Sequence, residues 1–321
     1  MKCLCCNKEI LDSASPNELE TRWHKKCVKT FFGTSSFPEI DISTKALTLL
    51  TNEITNKGYT VPGVQKKLSL HLSKDGGKAR LTIVNYPMGY ILKPQIEEYE
   101  CLPEAEFLIM QMAKTTGIKT VPFALLKIDD QFAYITKRVD RVKSGKKIER
   151  FAMEDFCQLD GRLTEDKYKG SYERCAKIIN KYSSREAFDL SELFLRIVFC
   201  FVVGNSDMHL KNFSLIETAE ESGLYVLAPA YDLLPVNIIL TGDKNQFGLA
   251  LNGKLSNAHR KDFLKFATTV GLNEVVATKI IESVSKQEDK YLSMCDESFI
   301  TDTQKQNLKT LISERVAILK G

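Results

Sequence analysis

From residue 68 the chain alternates. Leu68-Ser69-Leu70-His71-Leu72 puts an apolar side chain at every second position, Asp75-Gly76-Gly77 offers a turn, and Arg80-Leu81-Thr82-Ile83-Val84 resumes the period. A period of two belongs to a half-buried strand, so a β-hairpin is predicted. A third strand is predicted through Tyr90-Ile91-Leu92-Lys93, stopped by Pro94. A helix is predicted next, with Pro103 in its first turn, Glu104 and Glu106 behind it, an apolar run from Phe107 to Ala113, and Gly117 as its stop. Two further strand-like runs flank Asp129-Asp130, a second hairpin. Residues 60–138 therefore read as three strands, one helix and two strands.

After residue 150 the period is helical. Helices are predicted at Met153 to Leu159, Tyr172 to Lys181, Leu190 to Val203, Lys261 to Thr269, Asn273 to Lys286 and Thr303 to Leu319, with another at Ile42 to Thr55. A loop-rich stretch, 204–256, carries one clear strand, Gly223 to Pro229. There is no internal repeat. The pattern predicts an α+β chain: a small unit at 1–36, a β-rich lobe at 37–138 and a mainly helical lobe at 139–321.

Composition narrows the class. With 321 residues and 43% hydrophobic positions the chain is long enough to bury a core. Charged residues make up 27%, and 45 basic against 41 acidic gives +4, which supports neither a disordered tail nor direct nucleic-acid binding by bulk charge. Arg196 interrupts the longest apolar run, Leu193 to Val203, which falls short of the roughly 20 residues of a membrane span. The opening MKCLCCNKEI has no signal core. Nine cysteines, three of them within the first six residues, read as reduced thiols plus one local cluster, and the expected location is the cytoplasm.

That cluster is one candidate site. Cys3-x-x-Cys6 and His24-x-x-Cys27 supply four soft ligands in two close pairs, the donor set of a structural zinc knuckle, with Cys5 as a spare thiol. Trp23 is expected to pack within this unit. The second candidate follows the most apolar helix: Gly204-Asn205-Ser206-Asp207-Met208-His209-Leu210-Lys211-Asn212. Polar residues bunched at the end of a buried helix are costly unless they serve something. Asp207 and Asn212 are five apart, the D-x-x-x-x-N spacing of a phosphotransfer loop, in which the Asp accepts a hydroxyl proton and the Asn holds Mg²⁺. Asp232, one strand later, is placed to be the second metal carboxylate. Lys93, late in the third strand, is the candidate phosphate cation, with Glu106 as its partner and Glu104 as the alternative. Thr60 to Lys67 holds one glycine and is a weaker phosphate-loop candidate. The run Lys137 to Arg150, seven basic against two acidic, reads as a solvated hairpin with its tip at Ser144-Gly145. His71 and His259 show no partner spacing.

These segments together resemble the HipA family of serine/threonine kinases, toxins of bacterial toxin–antitoxin pairs. The resemblance is carried by Val61 to Leu70, Ile91-Leu92-Lys93-Pro94, Thr136 to Arg141, Met153 to Gln158, Gly204 to Leu215 and Pro229-Ala230-Tyr231-Asp232-Leu233. It implies a two-lobed protein-kinase-like fold, ATP and Mg²⁺ as ligands, and a protein substrate, with aminoacyl-tRNA synthetases as the class associated with the family. Asp207 matches the catalytic base. His209, Lys211 and Asn212 match nucleotide and metal contacts, Tyr231 and Asp232 the metal segment, and Lys93 the ATP lysine. Pro62, Gly63, Val64, Gln65, Lys66 and Lys67 match the phosphate-binding loop, and Lys137, Arg138 and Val139 the adenine hinge. Thr60 stands where the family autophosphorylates a serine. Full-length members carry roughly a hundred further N-terminal residues, so a separate small protein resembling that subdomain, and an antitoxin with a DNA-binding domain, are the expected partners. The competing expectations are a catalytically silent binding module and a kinase acting on a small molecule.

Overall fold

The computed structural model describes residues 1–40, 67–73, 79–84, 89–144 and 147–321. The expected helix at 42–55, Thr60, the loop Pro62 to Lys66, the turn Asp75-Gly76-Gly77 and Gly145 lie outside the described residues. The chain forms two compact units, one of residues 1–107 and 121–139, the other of residues 108–120 and 140–321.

The first unit opens with two short helices, α1 (Pro16–Thr21) and α2 (Lys25–Phe32), and strand β1 (Glu39–Ile40). Strands β2 (Leu68–Ser73), β3 (Arg80–Val84) and β4 (Tyr90–Pro94) follow, then helix α3 (Leu102–Thr115), whose first turns belong to this unit, then β5 (Phe123–Ile128) and β6 (Gln131–Lys137). Among the described residues they make one six-stranded sheet in the order β1-β3-β2-β4-β6-β5. The strand, helix, strand order agrees with the alternation in the sequence.

The N-terminal residues pack on this sheet. β5 is an edge strand, and an edge exposes unpaired backbone groups. Here the Leu125 N–H donates to the Leu4 carbonyl at 2.8 Å, and the Trp23 indole donates to the Leu125 carbonyl at 3.2 Å. Trp23 is fully buried, with Phe31, Phe32 and Phe37 around it at ring centroid distances of 5.3–5.5 Å. Tyr90 of β4 joins this cluster and donates its hydroxyl to the Phe31 carbonyl.

Beyond the end of α3, the second unit resumes with a hairpin, β7 (Arg141–Ser144) and β8 (Lys147–Arg150), followed by β9 (Met153–Asp155), α4 (Phe156–Leu159), α5 (Tyr172–Tyr182) and α6 (Glu186–Val202). After the loop come β10 (Ser214–Glu217), β11 (Tyr225–Leu227), α7 (Val236–Ile239), α8 (Arg260–Thr269), α9 (Glu274–Ser285), α10 (Glu288–Asp296) and α11 (Asp302–Lys320). Strands β9, β10 and β11 form a small antiparallel sheet.

Two expectations change here. Met153 to Leu159 is a strand followed by one helical turn rather than a helix. Asp155 is the reason: its carboxylate accepts from the Gln158 N–H at 2.9 Å, so the helix starts after it, while Met153 and Glu154 pair with Ile216 and Leu215 of β10. Strand β10 and helix α10 lie in stretches whose pattern gave no period. Helix α6 is apolar nearly all round, and its two buried charges both hold the chain leaving β11. Asp189 accepts from the Leu227 N–H at 2.7 Å, and Arg196 donates to the Ala228 carbonyl at 2.8 Å. Among the described residues no helix is long and apolar enough to cross a membrane.

Candidate active site

Helix α6 delivers the loop. Past its end Gly204 turns the chain with a left-handed φ of 71°, the usual stop for a helix. Asn205 turns back, donating its N–H to the Cys200 carbonyl, while its side-chain oxygen accepts from the Asp207 N–H at 3.3 Å. Asn212 Nδ2 then donates to the Asp207 carbonyl at 2.9 Å, so the two residues of the D-x-x-x-x-N spacing close one loop on itself. That bond also fixes the amide: with Nδ2 committed, Oδ1 is the end of Asn212 turned away, a hard oxygen suited to Mg²⁺. His209 is buried, with its N–H on the Asp207 carbonyl at 2.9 Å.

Lys211 reaches out of this loop to Asp155, Nζ to Oδ2 at 2.7 Å. The segment around Asp232 is tied to the same loop through Tyr231, whose hydroxyl donates to the Lys211 carbonyl at 3.0 Å and shares a second hydrogen bond with Ser214 at 2.6 Å. Burial pushes the Tyr231 phenol well above its ordinary value, which keeps it a donor. Ala230 is fixed from the other side, its N–H on the Lys119 carbonyl at 2.7 Å. The next residue but one, Asp232, holds a left-handed φ of 60°, a conformation that a non-glycine residue keeps only when its surroundings impose it.

In the first unit, Lys93 of β4 and Glu106 of α3 form an ion pair with Nζ to Oε1 at 2.6 Å and side-chain exposures of 4% and 0%. Lys93 also lies 5.3 Å from the Tyr134 ring centroid. The partner is thus Glu106 and not Glu104, whose carboxyl burial raises to about 7. Lys67 is exposed at the start of β2. Lys137 ends β6, and its N–H and that of Arg138 already donate to the Pro122 and Gly89 carbonyls at 2.9 Å. Val139 follows them, half-buried.

The ligand atoms of Cys3, Cys6, His24 and Cys27 all lie within 4.8 Å of one another. A tight turn makes this possible, with Asn7 at a φ of 58° and its N–H on the Cys3 carbonyl. His24 turns Nδ1 to the cluster, 3.4 Å from the Cys6 sulfur, and its Nε2 to the Glu9 carbonyl at 3.1 Å. A metal-ligating imidazole is oriented in this way by an outer acceptor. Hydrogen bonds from Cys27 and Cys6 hold the Cys3 thiol well below its ordinary value. Three sulfurs and one imidazole nitrogen fit a tetrahedral soft-ligand ion.

Comparison with known proteins places the chain. The family model of the HipA-like C-terminal domain matches residues 59–291. The chain belongs to this family. A Haemophilus influenzae relative named "Putative kinase" is 28% identical over 294 residues, covering 82% of each chain. Among solved structures, the HipA-like chain superposes on HipA of the Shewanella oneidensis toxin–antitoxin system, solved with HipB and operator DNA, at a TM-score of 0.68 and 19% identity, over 80% of this chain and 64% of that one. It superposes on the Helicobacter pylori proinflammatory kinase CtkA at a TM-score of 0.53 and 16% identity, over 74% and 90%. At these identities the structures establish the two-lobed kinase-like fold.

Around the HipA-like loop stand residues that the sequence did not single out. Tyr168 donates its hydroxyl to Asp207 Oδ1. Asp243 accepts from Ser206 of the loop at 2.6 Å, and Asn237 donates to that same hydroxyl at 3.2 Å. Gly248 lies against the loop backbone so closely that a Cβ there would sit 2.7 Å from the Met208 nitrogen. Asp155 carried part of the resemblance, but its pairing with Lys211, 56 residues away, left no local signal.

Proposed function

We propose that this HipA-like chain is an ATP-dependent serine/threonine protein kinase. One observation carries the reading: Asp207 and Asn212, at phosphotransfer spacing, are locked to each other through Asn212 Nδ2 and the Asp207 carbonyl. Asp207 would take the proton of the acceptor hydroxyl as its oxygen bonds to the γ-phosphorus and the bond to the bridging oxygen breaks, leaving ADP. Lys93, held by Glu106, would neutralise phosphate charge, and His209 and Lys211 would contact the nucleotide. The loop Pro62 to Lys67 would cradle the phosphates, and the backbone of Lys137 to Val139 would meet the adenine. Asn212 and Asp232 would hold Mg²⁺ through their hard oxygens, and the ion would supply charge that offsets the phosphates. The protein contributes positioning and fixed charge.

Cys3, Cys6, His24 and Cys27 would hold one structural zinc ion, since four protein ligands leave no open position. The Shewanella neighbour's complex with HipB and operator DNA supports an antitoxin as the partner, and with it a toxin role. The acceptor would be a hydroxyl of a cytoplasmic protein, in keeping with nine unbridged cysteines, and Thr60 would be the candidate for self-phosphorylation. Purified chain is incubated with γ-labelled ATP, Mg²⁺ and cell extract. Labelled protein bands are expected. Label confined to small metabolites would replace the protein acceptor with a small one. No label, together with no rise in melting temperature on adding Mg²⁺–ATP, would make the chain a binding module.

A further inference from the structure

Asp207 is not held by its own loop alone. The segment Lys167 to Tyr172, which leads into the first residue of α5, is bound along that loop at several points. The Leu210 N–H donates to the Lys167 carbonyl at 3.1 Å, and the Tyr172 hydroxyl donates to the Met208 carbonyl at 3.4 Å. Gly170 sits so near Leu210 that a Cβ would come within 3.3 Å of its side chain. From this segment Tyr168 extends its ring, edge-on to the His209 imidazole at 5.0 Å between centroids, with the Lys167 ammonium 5.0 Å from the ring. The ring is thereby fixed, and its hydroxyl donates to Asp207 Oδ1. Tyr168 is nevertheless 49% exposed, an unusual position for a phenol serving only the core.

We propose that Tyr168 is a positioning residue of the phosphotransfer carboxylate: by holding Oδ1 it sets the rotation of the Asp207 side chain toward the acceptor hydroxyl. The inference rests on the kinase reading above. A carboxylate free to rotate must be oriented anew at each turnover, whereas one anchored through a charge-assisted hydrogen bond is ready before the acceptor arrives. Tyr168 touches neither ATP nor acceptor in this scheme and acts only through Asp207.

Tyr168→Phe keeps the ring, its packing on His209 and the segment, and removes only the hydroxyl. The full chain and this variant are compared by total γ-phosphate leaving labelled ATP, counted in protein and in inorganic phosphate together. Melting temperature is measured with and without Mg²⁺–ATP. The expected result is a fall in kcat of about ten- to a hundredfold, the effect of one lost hydrogen bond to a charged group. KM for ATP and the shift in melting temperature given by Mg²⁺–ATP stay as in the wild type. A purely structural role would instead move the melting temperature and KM for ATP, because Asn212 lies on the same loop. Wild-type kcat in the variant overturns the proposal while the kinase reading stands. Phosphate found on Tyr168 itself by mass spectrometry also overturns it, since the phenol would then be an acceptor. No Mg²⁺–ATP-dependent transfer by the wild-type chain removes both.

Discussion

Replacing Lys93 by methionine keeps the side chain's length and removes the ammonium that stands 2.6 Å from Glu106 Oε1. Glu106 stays behind with a side-chain exposure of 0%. Breaking a buried pair from one side costs about 3–5 kcal/mol, because the remaining charge keeps its desolvation and loses the attraction of the opposite charge. At about 2–4 °C per kcal/mol the Lys93→Met chain is expected to melt about 10 °C below the wild type. Removing both charges, Lys93→Met with Glu106→Met, replaces the pair by apolar groups of similar volume and is expected to recover most of that loss. Phosphoryl transfer is not expected to return with it, since the proposed phosphate cation is gone from both variants. Thermal melting and labelled-ATP transfer are measured on the same preparations. A single variant melting within about 2 °C of the wild type would mean that the pair is not a buried electrostatic unit. A double variant that regains transfer would mean that Lys93 serves stability alone.

Gly248→Ala puts a methyl group 2.7 Å from the Met208 backbone nitrogen, so the loop must shift; a loss of about 1–3 kcal/mol in stability and a larger loss in transfer are expected, and wild-type transfer would refute the close packing. Burial raises the Glu104 carboxyl to about 7 from an ordinary 4.5, so the folded state holds the extra proton; its contribution to stability is complete below about 4.5 and lost as pH rises through about 7. Glu104→Gln is therefore expected to flatten the melting profile across that window and to melt above the wild type at pH 8, and parallel profiles would refute this. Elemental analysis of freshly purified, unchelated protein is expected to find about one zinc ion per chain, and Cys27→Ser to lose it; metal-free wild type would refute the assignment.

The first unit was legible because its information is local. Alternation from Leu68 to Val84 and the paired runs around Asp129-Asp130 are each complete within a few residues, and so are the strands they form. The loop at Gly204 to Asn212 could be read because residue types costly to bury stand together after an apolar helix. What could not be read depends on distance in sequence. Tyr168 is a lone aromatic in a polar stretch, 39 residues from the carboxylate it holds. Gly248 looks like any turn glycine until Met208 is placed beside it. Met153 to Leu159 has an apolar content that suits a helix equally well, and only the Asp155 cap and the pairing with β10 divide it. The helices α1 and α2 are six and eight residues long, too short to show a period, and their positions follow from the Cys/His turn and from Trp23.

Asp207 is the proposed base, and the most direct measurement compares phosphosites in cells expressing the wild-type chain and Asp207→Asn. New phosphoserine or phosphothreonine sites are expected with the wild type and none with the variant, while the variant melts like the wild type and still responds to Mg²⁺–ATP. The same new sites in both would contradict the assignment of Asp207 as the base that accepts the hydroxyl proton.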